Sequence, residues 1–306
     1  MKPLLTSFAI FSTLLLVQGC SSSVKSGEIS NPGAAKPHQG HIMSGEKTPV
    51  AASDPHAGHS MEDRAHHHTD ADKGNAPQTK ALLSDRKNIQ SNKPVVLSIN
   101  IQDVNGKAVT KFDTFQEKVM HLIVVSDDLQ HFDHLHPIYK QNGRFEVEAK
   151  FPRPGNYTLF ADYKPSGQKE QVSLLKETVP GVSQSAPPID FNTAKSFGDT
   201  KVNITFSEPK LKAGQAVHVI FNLRNNSSQP ITDLQPYLGE RGHLVIVKQS
   251  SNLTKSDYIH AHAMKHNSPG EVHFMTAFPE AGKYKLWGQF QRNGKIVTTD
   301  FWVNVE

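Results

Sequence analysis

Beyond its N-terminal stretch the sequence has no cysteine, because the single cysteine among 306 residues is Cys20. No intramolecular disulfide is possible, so a folded part in an oxidising compartment must be held by packed cores. Charge is also scarce. The net value is +4 with histidine neutral, too little to argue for nucleic acid as a partner. No convincing amphipathic helix appears anywhere. The one long apolar stretch, Leu4 to Val17, is too short and too weakly flanked to remain as a membrane span. What is plentiful is histidine, with 17 residues concentrated in one tail and in a few repeated places.

The N-terminus has an export pattern. Lys2 supplies a positive charge, the apolar stretch follows, and Val17-Gln18-Gly19-Cys20 puts a small residue directly before the cysteine. That arrangement resembles the bacterial lipobox, in which the thiol is thioether-linked to diacylglycerol and the cysteine becomes residue one of the mature chain. The resemblance implies a signal peptide over 1–20, lipidation (and palmitate) at Cys20 and a membrane partner through the anchor. Ser21 after it, in place of an acidic residue, resembles the outer-membrane sorting choice of Gram-negative bacteria. The expected location is therefore the cell envelope, facing the periplasm. Acylation would also remove the terminal amine as a metal ligand.

Residues 21–78 show no hydrophobic periodicity. Ser, Gly, Ala, Pro, Lys, Asp and His dominate, a composition that cannot bury enough apolar surface to offset ordering its backbone. The expectation is a disordered tether with an r.m.s. reach of roughly 40 Å. It carries two copies of an H-x-G-H-x-M pattern, one in His38, His41 and Met43, the other in His56, His59 and Met61. Imidazole accepts Cu(II) and thioether favours Cu(I), so this donor set favours copper, with zinc as the other candidate. The bland reading is a hydrophilic spacer rich in histidine, which the run His66-His67-His68 alone would not exceed.

From residue 79 the pattern changes to short runs of β-branched and aromatic residues broken by N-G, P-G and S-G turns. The runs repeat. Val95 to about Val179 and Val217 to Val305 read as two copies of one module, in which His121 matches His243, His134 matches His260 and His136 matches His262. Phe151-Pro152 and Gly155-x-Tyr157 match Phe278-Pro279 and Gly282-x-Tyr284. The expected fold is all-β, with two tandem antiparallel β-sandwiches of the immunoglobulin-like or cupredoxin-like kind over 79–180 and 191–306 and a linker at 181–190. Tyr157 and Tyr284 are expected at sheet-to-sheet corners. Phe160, Trp287, Phe290 and Trp302 are expected in the core.

The histidine triplets carry the chemistry. His134-x-His136 and His260-x-His262 are i, i+2 pairs, which a strand points to one face. An even-numbered hairpin loop makes paired positions sum to an odd number, and the register expected from that parity sets His121 opposite His134. The spacing from first to second histidine grows by an even increment between copies, so the common face survives in both. Three imidazoles from adjacent strands suit Cu(II), Zn(II) or Ni(II). Met120, Met264, Met275, His266 and His273 lie near enough in sequence to contribute. The competing reading makes every histidine a hydrogen-bonding residue of the sandwich end. His131 and His218 lack counterparts and read as surface or core.

The H-x-G-H-x-M stretches resemble the His/Met-rich segments of bacterial periplasmic copper-resistance proteins. The succession H-L, V-V-S-x-D-L and H-x-H-P resembles tandem domains of poorly characterised secreted proteins from metal-rich settings. These resemblances imply an envelope-anchored copper-binding lipoprotein that sequesters or passes metal, with a periplasmic metal-handling protein as a possible partner. A blue-copper His2Cys centre is excluded by the lack of a second cysteine. The alternative is a non-catalytic immunoglobulin-like interaction lipoprotein whose histidines are structural. An enzyme is not expected, since Asp133 aligns with Ile259 and leaves no acid beside both triplets.

Overall fold

The computed structural model describes residues 79–84, 89–265 and 268–306. Cys20, the two H-x-G-H-x-M motifs (His38, His41, Met43, His56, His59, Met61), the run His66 to His68 and His266 lie outside the described residues. Everything described is β-structure, turn or extended chain apart from one 3-10 turn at Lys255–Asp257, and belongs to one compact unit.

Nine strands form the first sandwich: β1 (Thr79–Ser84), β2 (Pro94–Asp103), β3 (Phe112–Asp113), β4 (Met120–Ser126), β5 (Phe132–Leu135), β6 (Ile138–Tyr139), β7 (Arg144–Lys150), β8 (Gly155–Pro165) and β9 (Gln171–Val179). The second holds β10 (Ala194–Phe197), β11 (Thr200–Phe206), β12 (Ala216–Asn225), β13 (His243–Lys248), β14 (Tyr258–His262), β15 (Glu271–Ala277), β16 (Gly282–Arg292) and β17 (Lys295–Val305). Each module stacks two antiparallel sheets. In the first, β1-β2-β7-β6 faces a sheet in which β5, β4, β8 and β9 are successive neighbours and β3 pairs with the end of β8. In the second, β10-β11-β12-β15 faces β14-β13-β16-β17. This is the expected all-β pair of immunoglobulin-like sandwiches.

Both corner tyrosines behave alike. Tyr157 Oη donates to Arg153 O and Tyr284 Oη donates to Glu280 O, each at 2.8 Å. Gly155 and Gly282 start their strands at φ 134° and 143°, values that L side chains rarely adopt.

β4 and β13 are buried on both faces, and alternation says why. Leu122 and Val124 belong to the core of the first sandwich, Leu244 and Ile246 to that of the second. Their neighbours Ile123, Val125, Val245 and Val247 enter a third apolar cluster with Phe160, Val172, Tyr258, Trp287 and Trp302. That cluster draws on both modules, so the β5-β4-β8-β9 sheet packs its outer face on the outer face of β14-β13-β16-β17. The contacts are reciprocal. Phe132 stacks on Trp287 with centroids 4.9 Å apart, and Phe160 stacks on Tyr258 at 4.7 Å. Phe132 and Tyr258 pair with equivalent valines, Val125 and Val247, and Phe160 and Trp287 pair with Ile123 and Val245. Such exchange of equivalent residues is the mark of an isologous interface, here between two halves of one chain. Ile189, in the connecting segment, packs against the same cluster. Phe160, Trp287 and Trp302 are thus buried between the modules, whereas Phe290 lies in the core of the second sandwich.

Candidate metal centre

The alternation that sends Ile123 and Val245 into the interface sends the histidines there too. His121 lies two residues before Ile123, His134 pairs with Ile123, and His260 pairs with Val245. The expected register is displaced by one pair of residues. His243 pairs with His262, and in the first copy Leu122 pairs with Leu135, which sets the pairing so that His121 falls level with His136 rather than His134. In the first copy the hairpin loop holds this register. Ser126 N donates to His131 O, closing a four-residue turn whose amides Gln130 N and His131 N are held by Ser126 Oγ at 3.1 and 2.9 Å. A displacement by an even number of residues leaves the face unchanged, so both triplets still point the same way.

The histidines converge deep inside. His121 is 0 % exposed, His243 1 %, His260 2 % and His134 8 %. His121, His134 and His136 each offer a ring nitrogen, all within 4.8 Å of one another. Their rings lie 4.8 to 5.2 Å apart. The second triplet does not close to that span among the described residues. His243 and His260 meet at 3.4 Å, while His262 is in close contact with the Gln116 side chain of the first module. The two sets also face each other, with His121 5.8 Å from His260 and His134 6.0 Å from His243, centroid to centroid.

Partners assign the ring tautomers. A carbonyl can only accept, so His121 Nε2, 3.2 Å from Phe115 O, carries the proton and Nδ1 does not. His134 Nδ1 lies 2.8 Å from Gln289 Oε1 in the amide orientation that places Gln289 Nε2 3.2 Å from Thr298 Oγ1, a hydroxyl able to pair with either end of the amide. His134 Nε2 is then the unprotonated nitrogen, and it faces His121 Nδ1 at 3.0 Å. The second copy repeats the pattern. His243 Nε2 donates to Tyr237 O at 3.1 Å, and His260 Nδ1 meets the Asp162 carboxylate at 3.3 Å. In each copy two ring nitrogens approach each other, at 3.0 and 3.4 Å, while the other nitrogen of each ring is held by a partner outside the pair.

In the first set, electrostatics disfavours an added proton. Burial, reinforced by the neighbouring His260, His134 and His136, holds His121 far below the usual imidazole range, and burial takes His134 down to about 4. His136 is lowered to about 3 by burial, then by His134 and Lys118. His243 is pushed well below its ordinary value by burial and by His260, His134 and His262. His136 Nε2 is buried without a hydrogen-bond partner. Neutral imidazoles with one N–H anchored and the other nitrogen directed inward are the form in which histidine binds transition metals.

Other expected donors are placed elsewhere. Met120 has the opposite parity to His121 and is packed in the core of the first sandwich. Met275 pairs with His218 across β12 and β15, and His273 Nε2 lies 2.8 Å from Glu271 Oε2 on that same second sheet. Met264 N donates to the backbone of His273. His131 packs its ring against Tyr157 at 5.8 Å and is lowered to about 4 by burial and by Arg153. Sequence reasoning missed Asp162, Gln289 and Gln116. Asp162 pairs with His121 on β8, and Gln289 pairs with His243 on β16, so they are equivalent positions. A polar residue at the same place in two otherwise buried runs, FADY and WGQF, was the available signal.

Fold and centre together define a protein of two immunoglobulin-like β-sandwiches docked through a histidine-lined interface. The chain belongs to the family described as a domain of unknown function (DUF8832), which it matches over residues 64–179 and 195–306. No curated protein matches it. Similar solved structures include the Escherichia coli adhesin FdeC, at 12% identity, over 75% of this chain and 64% of that one, with a TM-score of 0.24. A two-domain fibronectin type III segment of chicken tenascin matches at 12% identity over 74% and 98%, with a TM-score of 0.22. An α-2-macroglobulin from Escherichia coli matches at 14% identity over 74% and 15%, with a TM-score of 0.25. The chain spans less than two thirds of the adhesin and a small part of the macroglobulin. At these values the likenesses carry no functional argument.

Proposed function

We propose that this chain is an envelope-anchored protein that binds a transition-metal ion, copper or zinc, without catalysing a reaction on it. The observation that supports this most is the approach of two ring nitrogens, His121 Nδ1 and His134 Nε2, to 3.0 Å beside the partnerless His136 Nε2. His121, His134 and His136 would hold the ion, with His243, His260 and His262 as the second set. Three imidazoles and no thioether suit Cu(II) or Zn(II), while the tail residues His38, His41, Met43, His56, His59 and Met61 would capture copper in either oxidation state. Cys20 would fix the assembly to the membrane, and a periplasmic metal-handling protein would exchange metal with it.

A second reading has its own support. If the Gln289 amide is turned over, it donates to His134 Nδ1, and His134 Nε2–H donates to His121. The histidines are then polar links inside an interface already closed by stacked aromatic residues, and the chain is an immunoglobulin-like interaction protein. Titrating the chain from Ser21 onward with Cu(II) and Zn(II), with and without residues 21–78, separates the two. Tight binding that survives removal of the tail and is lost in His134→Ala supports the metal centre. Binding that disappears with the tail leaves the six histidines structural.

A further inference from the structure

Each module reaches into the histidine set of the other. Asp162 stands on β8 of the first sandwich, yet its carboxylate accepts from His260 Nδ1 in the second, 3.3 Å away with both groups almost fully buried. Gln289 stands at the equivalent place on β16 and meets His134 Nδ1 of the first sandwich at 2.8 Å. We infer that Asp162 and Gln289 are reciprocal positioning residues: each fixes the tautomer and aim of a metal-binding histidine in the opposite module, so neither site is complete in a single sandwich. This rests on the metal reading above.

The chemistry follows from what each acceptor allows. A carboxylate accepts only, so Asp162 forces the proton of His260 onto Nδ1 and turns Nε2 toward His243 Nδ1. The amide of Gln289 can be reversed and carries no charge, so it directs His134 less strictly. The two sites therefore differ although the modules are copies. A cation between His243 and His260 is backed by the buried Asp162 carboxyl group. A cation among His121, His134 and His136 has a third imidazole and a neutral amide behind it. Removing a group that orients a metal-bound histidine lowers metal affinity by about 10–100-fold.

Long-range 1H–15N spectra of the imidazoles resolve each ring, so the tail histidines do not confuse the test. The full chain in detergent is recorded without metal and then titrated with Zn(II). In the wild type His260 is expected as the Nδ1–H tautomer. Asp162→Asn should loosen that preference and raise the zinc needed to shift His243 and His260 by about 10–100-fold, leaving His121, His134 and His136 as before. Gln289→Leu should do the converse. Asp162→Glu, which keeps the acceptor, should retain the His260 tautomer and serves if the asparagine variant folds poorly. If zinc shifts none of the six rings, the metal reading fails and takes this inference with it. If zinc shifts them, but neither variant changes a tautomer or a zinc requirement across the interface, the inference alone is overturned.

Discussion

His121 and His243 lie 6.5 Å apart, ring centroid to ring centroid, with their planes inclined by 29°. They are equivalent residues of the two modules. An equivalent pair comes face to face close to a local twofold axis, so the histidine cluster lies on the pseudo-symmetry axis that relates the two modules.

His136 distinguishes a ligand from a structural residue most cleanly. Its Nε2 is buried without a partner, so His136→Ala removes no hydrogen bond from that atom. The variant is expected to unfold within about 1 kcal/mol of the wild type, because an unsatisfied polar group is lost with the ring. Its zinc or copper affinity should fall at least tenfold, measured by equilibrium dialysis of the chain from Ser21 onward. Equal affinity in the variant would remove His136 from the site.

Interface packing should be strongly coupled across the modules. Trp287→Ala strips the partner of Phe132 and opens a cavity in the shared cluster, at an expected cost of about 3–5 kcal/mol in urea unfolding. Phe132→Ala combined with it should be less than additive by about 0.5–1.5 kcal/mol, the worth of the stacked pair. Full additivity would mean that the two rings do not meet in solution.

Acid should weaken the metal-free protein. His131 and His134 are lowered to about 4 and His136 to about 3, against 6.5 for an unburied imidazole. Below about 6.5 the unfolded chain binds protons that the folded one refuses, so stability falls with pH. The loss should continue to about pH 3–4 and then level off as far as these groups are concerned. Calorimetric Tm values between pH 7.5 and 4 test the sign. A Tm that is flat over that range would contradict the burial of these rings.

The two tyrosine corners should be interchangeable in energy. Tyr157→Phe and Tyr284→Phe each remove a 2.8 Å hydrogen bond donated to the backbone carbonyl four residues earlier and a 3.3 Å one accepted from the amide of that same residue, with the ring still buried. Each should cost about 1 kcal/mol, read as a shift in urea midpoint at unchanged slope.

The sequence by itself determined the strands, the duplication and the face on which each histidine stands. Period-two alternation is a local property, and an even change in spacing keeps a face whatever the loop does, so six histidines were assignable to one side of their sheets. It did not determine the register within the hairpin, because a two-residue slide conserves parity. The turn held by Ser126 and Asp128 made that choice. Nor did it place Met120, whose parity sends it into the first sandwich's core while neighbouring His121 goes the other way. Above all, alternation cannot say what covers a face. The runs HLIVV and HLVIV were apolar at every step after the histidine, a sign of burial on both sides whose second partner was unstated. Only the tertiary structure supplied it, by laying one copy's outer sheet on the other's. That docking joined Asp162 to His260 and Gln289 to His134 across 98 and 155 residues of chain. Contacts at such separations depend on the docking of whole modules, for which a single sequence has no local signal.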